Sequence, residues 1–312
     1  MKTKWFTPYL FILPSITAMV ILVYVPLFMG VGYSFTNISQ KNSNKIEYKI
    51  PYKETNGEIK FKIEEKPSTF AFVGLDNYKT TLTTPTFWQV LGQTFVWTFF
   101  NVIFHFSIGL GLALLINKPL FGRDAYRMML MIPWAVPTYI SAFSWRWMFN
   151  ADYGLFNEIL KLVHLPAISW LSDPTWAMFA VVVTNIWLGF PFMMVTLLGG
   201  LQNIPIELYE AATVDGASKL QQFRNVTLPL LTPVSLTSTL LGAIWTFNMF
   251  NIIYLVTQDN PHTDILATFS FKAFFVRGEY AQASSYSVII LLILSVFSIF
   301  YLRVLKKTEN LY

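Results

Sequence analysis

The chain has 312 residues, of which 54% are hydrophobic and 17% aromatic but only 12% charged. Soluble domains carry roughly 25% charged residues, so this sequence is poor material for a water-facing surface and suited to a membrane. With no cysteine it excludes disulfides, thiol chemistry and cysteine metal sites, three scattered histidines (His105, His164, His262) argue against a metal cluster, and the net charge is +5. Basic residues at membrane borders account for the charge without nucleic acid.

A membrane-crossing helix needs about 20 mostly apolar residues. Six stretches qualify: 8–36, 87–116, 125–149, 174–201, 233–258 and 284–305. The first follows Lys2 and Lys4 but is too long for a signal h-region and lacks a small-x-small cleavage site, so a retained helix is expected. Segment 39–68 is polar and rich in lysine and glutamate. Its weak alternation around Asn56–Gly57 fits a β-hairpin, and equally a solvated loop. Pro133 and Pro137 predict a bend or break in the third span. Pro191 deprives the Trp187 carbonyl of its usual helical partner. Lys2, Lys4, Lys118, Arg123, Arg127, Lys219, Arg224, Arg303, Lys306 and Lys307 predict that both termini are cytoplasmic.

Ionisable residues are nearly missing from these spans. Arg146 sits near a helix end, where it can snorkel. His105 reads as a packed, hydrogen-bonded residue more readily than as a proton relay. Ion-coupled carriers place carboxylates at membrane depth to exchange the coupling ion. None occurs here, nor does a P-loop, so any ATP must be bound by a partner.

The stretch IPIELYEAATVDGASKLQQFRNVTLPLLTP (204–233) differs from the other loops. Pro205, Glu207 and Glu210 suit the start of a helix, Gly216 suits a reversal after Asp215, and Ser218 with Gln221 has capping-box spacing. Pro229 is expected to end the second short helix before span five. An amphipathic loop lying on the membrane would share some of these traits. The order Glu210-Ala211-Ala212, Gly216, Val226, Leu228, Pro229 resembles the coupling loop of binding-protein-dependent ABC importer permeases, with Val226 where isoleucine is more usual. The flanking IP and DGAS are similar to the carbohydrate branch. So are FVGLDNY (72–78), IPWAVPTYISAFSWRWMFNADYGLFN (132–157) and FNMFNIIYLVTQDNP (247–261). In the last, Asp259-Asn260-Pro261 stands where the family more often has Gly-Gly-Pro. The resemblance covers most of 70–305.

That resemblance implies an all-α membrane protein of about six transmembrane helices in the ABC importer permease fold, with a polar extracytoplasmic loop. Residues 1–36 would form the N-terminal tail and first transmembrane helix, and 37–86 the extracytoplasmic loop. Residues 87–305 would be the permease core, with its cytoplasmic coupling loop at 202–232, and 306–312 a cytoplasmic tail. Glu210, Ala211, Ala212, Asp215, Gly216 and Pro229 would couple to the ATPase. Implied partners are a second homologous permease, an ATPase dimer, an extracytoplasmic sugar-binding protein, the sugar and the lipid membrane, with no nucleic acid. The chain would bind no cofactor, leaving ATP and magnesium to the ATPase, and would sit in a bacterial or archaeal cytoplasmic membrane as a transport subunit, not an enzyme.

A sugar site needs neutral hydrogen-bonding groups and flat apolar faces. Asn185, Leu188, Gly189 and Phe192 share one helix face by spacing. Phe247, Asn248 and Asn251 in span five, and Trp134 between two prolines, complete the candidate set. These positions resemble those that line the sugar site in maltose-transporter permeases of the family. Asparagines at such places also serve as helix–helix glue. The expected function is import of a sugar, favouring an oligosaccharide such as maltose or maltodextrin. The alternative is an ion-coupled secondary sugar carrier.

Overall fold

The computed structural model describes residues 7–43, 46–53, 59–66 and 70–309. In chain order its first helices are α1 (Thr7–Met19), α2 (Val25–Ser34), α3 (Gln40–Ser43), α4 (Asp76–Thr83) and α5 (Pro85–Ile116). Next come α6 (Arg123–Ala135), α7 (Thr138–Met148), α8 (Leu155–Leu162), α9 (Pro174–Gln202) and α10 (Ile206–Val214). The last are α11 (Lys219–Gln222), α12 (Leu228–Phe247), α13 (Phe250–Thr257), α14 (Leu266–Phe271) and α15 (Tyr280–Glu309). Strands β1 (Ile46–Lys53) and β2 (Ile59–Lys66) pair antiparallel, Lys53 opposite Ile59. The tight turn expected at Asn56–Gly57 falls outside the described residues.

Among the described residues, five helical runs are long and apolar enough to cross a membrane: Tyr9–Ser34, Pro85–Ile116, Pro174–Gln202, Lys219–Phe247 and Tyr280–Lys307. The expected third span is two shorter helices, α6 and α7, separated at Val136–Pro137. Proline cannot donate to the preceding turn, and Val136 before it is extended, which breaks the helix there.

Two sequence expectations need correction. The fifth span does not run through 233–258: α12 stops at Phe247, and Asn248 and Met249 separate it from α13. Nor does Pro229 end a helix. Residues Lys219–Phe247 are continuous because a π turn at Phe223–Thr227 precedes the proline. There the Leu228 N–H reaches back to the Phe223 carbonyl, and the wide turn absorbs the donor that Pro229 lacks. The same device precedes Pro26, where the Val25 N–H donates to the Val20 carbonyl.

The chain divides into two compact units, 1–88 with 269–292, and 89–268 with 293–312. In the first, the segment FVGLDNY secures the end of α2. Gly74 takes a left-handed turn (φ +60°), and the Val73 N–H donates to the Phe35 carbonyl at 2.8 Å. The Asn77 amide donates to the carbonyls of Ser34 and Thr36 at 2.8 and 2.7 Å. Thr81, fully buried, accepts from Gln282 at 2.6 Å.

The second unit is built around α9, whose N-terminus is capped by Asp173 accepting from the Thr175 and Trp176 N–H groups. Its residues Met193, Met194, Leu197 and Leu198 are buried with Ala113 and Ile116 of α5 and Leu231 of α12. Gly109 on α5 lets the two helices meet: a Cβ there would lie 2.8 Å from Met193 Cβ and 2.9 Å from the Met194 nitrogen. In lipid, such close packing of small residues holds helices together, since the tails are as apolar as leucine. Large apolar side chains such as Phe99, Ile103, Leu292 and Phe300 face outward, as lipid contact permits.

Asn77→Ala removes two hydrogen bonds at the end of α2 and should cost about 1–3 kcal/mol of stability. Thermal denaturation of the purified protein in detergent checks this. An unchanged melting temperature would show that the segment does not hold α2.

Candidate functional site

A chain of buried polar contacts ties α5, α9 and α12 together. Trp97, Asn101 and His105 recur every four residues, so they share one face of α5. The Trp97 indole N–H donates to the Thr246 carbonyl at 2.8 Å. The Asn101 amide donates to the Trp97 carbonyl at 2.8 Å, and the Asn185 amide donates to Asn101 Oδ1 at 2.9 Å. His105 Nε2 lies 2.9 Å from the Asn185 carbonyl. A carbonyl only accepts, so Nε2 carries the proton. All five residues are buried, and in a water-free layer each unmet polar group would cost several kcal/mol.

The ring of His105 occupies the space a side chain would fill at position 189. A Cβ on Gly189 would lie 2.3 Å from both Cε1 and Nε2 of the imidazole. Beside this contact opens a cavity of about 200 Å³. Asn185, Leu188, Gly189 and Phe192 of α9 line it, as their shared face predicts, and Trp134 joins them from the last turn of α6. The break at Val136–Pro137 brings Val136 and Thr138 to the same wall. From α12 come Gly242, Trp245 and Thr246, with the Phe192 and Trp245 rings 4.9 Å apart. Among the described residues, no carboxylate, lysine or arginine lines the cavity.

Three of the sequence candidates lie elsewhere. Phe247 is buried and packs edge-on against Phe95 at 6.0 Å. Asn248 and Asn251 were expected on one helix, but α12 stops at Phe247 and α13 starts at Phe250, so only Asn251 is helical, and both are exposed. Asn248 turns its amide back to the Ile244 carbonyl at 3.1 Å, satisfying the last turn of its own helix. The residues that sequence reasoning overlooked are Thr138, Trp245, Thr246 and, as a wall of the cavity, His105. The four-residue spacing of Trp97, Asn101 and His105 was the available signal.

The loop between α9 and α12 forms the expected helix, turn and helix. At the end of α10 the Gly216 N–H donates to the Thr213 carbonyl and the Ala217 N–H to the Ala212 carbonyl, at 3.0 and 2.8 Å. Gly216 itself is left-handed at φ +78°, as this helix stop requires. Ser218 and Gln221 make the capping box in both directions. Tyr209 Oη meets Thr227 Oγ1 at 3.0 Å, and the Gln222 amide donates to Thr213 Oγ1 at 2.8 Å, so the two arms are cross-braced. Glu210, Ala211, Asp215 and Gly216 are exposed, Ala212 and Pro229 half-buried. Val214 and Leu220 stand 87% and 75% exposed beside them, an apolar surface on a polar loop.

Two expectations follow. Asn101→Leu and Asn185→Leu should each destabilise the protein, and the pair should show a coupling of about 0.6–2 kcal/mol in a double-mutant cycle on thermal melts. Gly189→Ala should lower the melting temperature by displacing His105. Gly199→Ala, with nothing within 4 Å of its Cβ, should be neutral. Equal behaviour of the two glycine variants would remove the imidazole contact from the account.

The comparisons with known proteins agree with this architecture. The chain is 37% identical over 298 residues to the trehalose/maltose transport system permease protein MalF of Thermococcus litoralis, covering 95% of this chain and 92% of that one. It is 34% identical to the maltodextrin transport system permease protein MdxF of Bacillus subtilis, covering 92% of this chain and 65% of that one. Among solved structures, a bacterial alginate ABC transporter in complex with its alginate pentasaccharide-bound periplasmic protein contains a chain of the same fold. Its TM-score is 0.75 at 20% identity, over 94% of this chain and 91% of that one. The fold is therefore that of ABC importer permeases, all-α and multi-pass. The family model for binding-protein-dependent transport system inner membrane components matches residues 105–309, and the chain belongs to that family.

Proposed function

We propose that this permease imports a sugar, an oligosaccharide of the maltose or maltodextrin class, delivered by an extracytoplasmic binding protein. The observation that carries this reading is the chemistry of the α9 cavity: aromatic faces from Trp134, Phe192 and Trp245 with neutral polar groups and no charge. Pyranose rings present flat C–H faces to aromatics, and their hydroxyls need neutral donors and acceptors. The sugar names of its relatives point the same way. A cavity open in one chain suits a path shared with a second homologous permease. Asn248 and Asn251, exposed here, are available to that shared path.

In this reading the loop 202–232 faces the cytoplasm and docks on a separate ATPase dimer, which holds ATP and magnesium. The exposed Val214 and Leu220 supply the apolar contact, and Glu210 a charge at its edge. Cross-bracing lets the loop move as one body, so closure of the ATPases is passed to α9 and α12, which flank it. Both termini lie inside, and residues 37–86 face the binding protein outside. This chain binds no nucleotide and makes or breaks no covalent bond. The ion-coupled alternative lacks the carboxylate at membrane depth that exchange of a coupling ion requires.

The test is sugar-stimulated ATP hydrolysis by the chain reconstituted with its second permease, ATPase and binding protein. Maltose, trehalose and maltodextrins form the panel. One sugar should stimulate hydrolysis, and Glu210→Lys should abolish the stimulation while leaving the protein in the membrane. Stimulation that survives in Glu210→Lys and also in Gly216→Pro would remove the coupling assignment.

A further inference from the structure

We infer that His105 is a specificity-determining residue, whose Nδ1 accepts the proton of one sugar hydroxyl in the cavity. The inference rests on the sugar-site reading above and adds a contact to it. The imidazole is held from two sides. Its Nε2 is committed to the Asn185 carbonyl, and its edge fills the gap left by Gly189. The ring borders the cavity, and Nδ1 makes no hydrogen bond among the described residues. In the neutral ring with Nε2 protonated, Nδ1 is an acceptor.

A second acceptor lies on the same wall. Asn185 uses its amide nitrogen on Asn101 and its main-chain carbonyl on His105, and its side-chain oxygen, held by the first of these bonds, is that second acceptor. Trp134 and Trp245 also line the cavity, and their indole N–H groups, which make no hydrogen bond among the described residues, are free to donate. A hydroxyl both donates and accepts, so it can pair with Nδ1 and with an indole N–H at once. An acceptor already locked in place binds without paying for its own ordering. A site built to hydrogen-bond a hydroxyl discriminates strongly against the analogue that lacks it.

The experiment measures ATP-driven uptake of maltose, trehalose and their monodeoxy analogues by the reconstituted complex. Wild type, His105→Gln, His105→Asn and Phe192→Ala are compared. The carboxamide of His105→Gln reaches the Nε2 position, keeping the Asn185 contact and losing the acceptor. That of His105→Asn reaches the Nδ1 position and does the reverse. Wild type should transport one monodeoxy analogue at least about tenfold more slowly than its parent. This ratio should collapse to about one in His105→Gln, persist in His105→Asn, and leave the other hydroxyls unaffected. A merely structural histidine predicts the opposite order, with His105→Asn the more damaged and every ratio unchanged in His105→Gln. That result, with uptake lost in Phe192→Ala, overturns the role of His105 and keeps the sugar site. Wild-type uptake of every sugar by Phe192→Ala overturns the site and the inference together.

Discussion

The structure depends on one constraint: a polar group inside the hydrocarbon layer is costly unless it finds a partner within the protein. Trp97, Asn101, Asn185 and His105 meet it by bonding in sequence to one another and to the Thr246 carbonyl. Dispersion alone leaves helices free to slide, because lipid competes for the same contacts. Directional bonds do not slide. The chain therefore sets the register of α5 against α9 and of α5 against α12. The register in turn places the imidazole over Gly189 and leaves a cavity beside that contact.

Backbone irregularity supplies the rest of the site. The break between α6 and α7 turns Trp134 and Thr138 toward the cavity from two different helices. Unbonded main chain is tolerated at membrane depth where protein or a water-filled path covers it. The π turns before Pro26 and Pro229 work the other way, keeping a helix continuous past a residue that usually ends one. The cross-braced loop between α9 and α12 is thus joined to α12 by an unbroken helical run. A displacement of the loop has a stiff lever to act on.

The sequence made the spans legible because length and apolarity suffice to define a membrane helix. It made the loop 204–233 legible because Gly216 and the Ser218–Gln221 pair have short-range jobs that neighbouring residues alone determine. Half of the candidate site followed from helical spacing, since Asn185, Leu188, Gly189 and Phe192 stay on one regular helix. Asn248 and Asn251 were misplaced because the end of α12 depends on a backbone bend that spacing does not encode. Pro229 misled for the matching reason: a π turn is a tertiary accommodation, with no composition of its own. His105 was read as packing, and it is packed. Its second ring nitrogen gained meaning only when the cavity beside it was known.

The central claim is that an uncharged, aromatic cavity in a family permease moves sugar at the expense of ATP hydrolysed by another subunit. Uptake into liposomes holding the full complex, with ATP inside and all ion gradients collapsed by ionophores, tests it most directly. The account predicts that sugar accumulates, that it does so only with ATP, and that it needs the binding protein. Accumulation without ATP that follows an imposed proton or sodium gradient would contradict it.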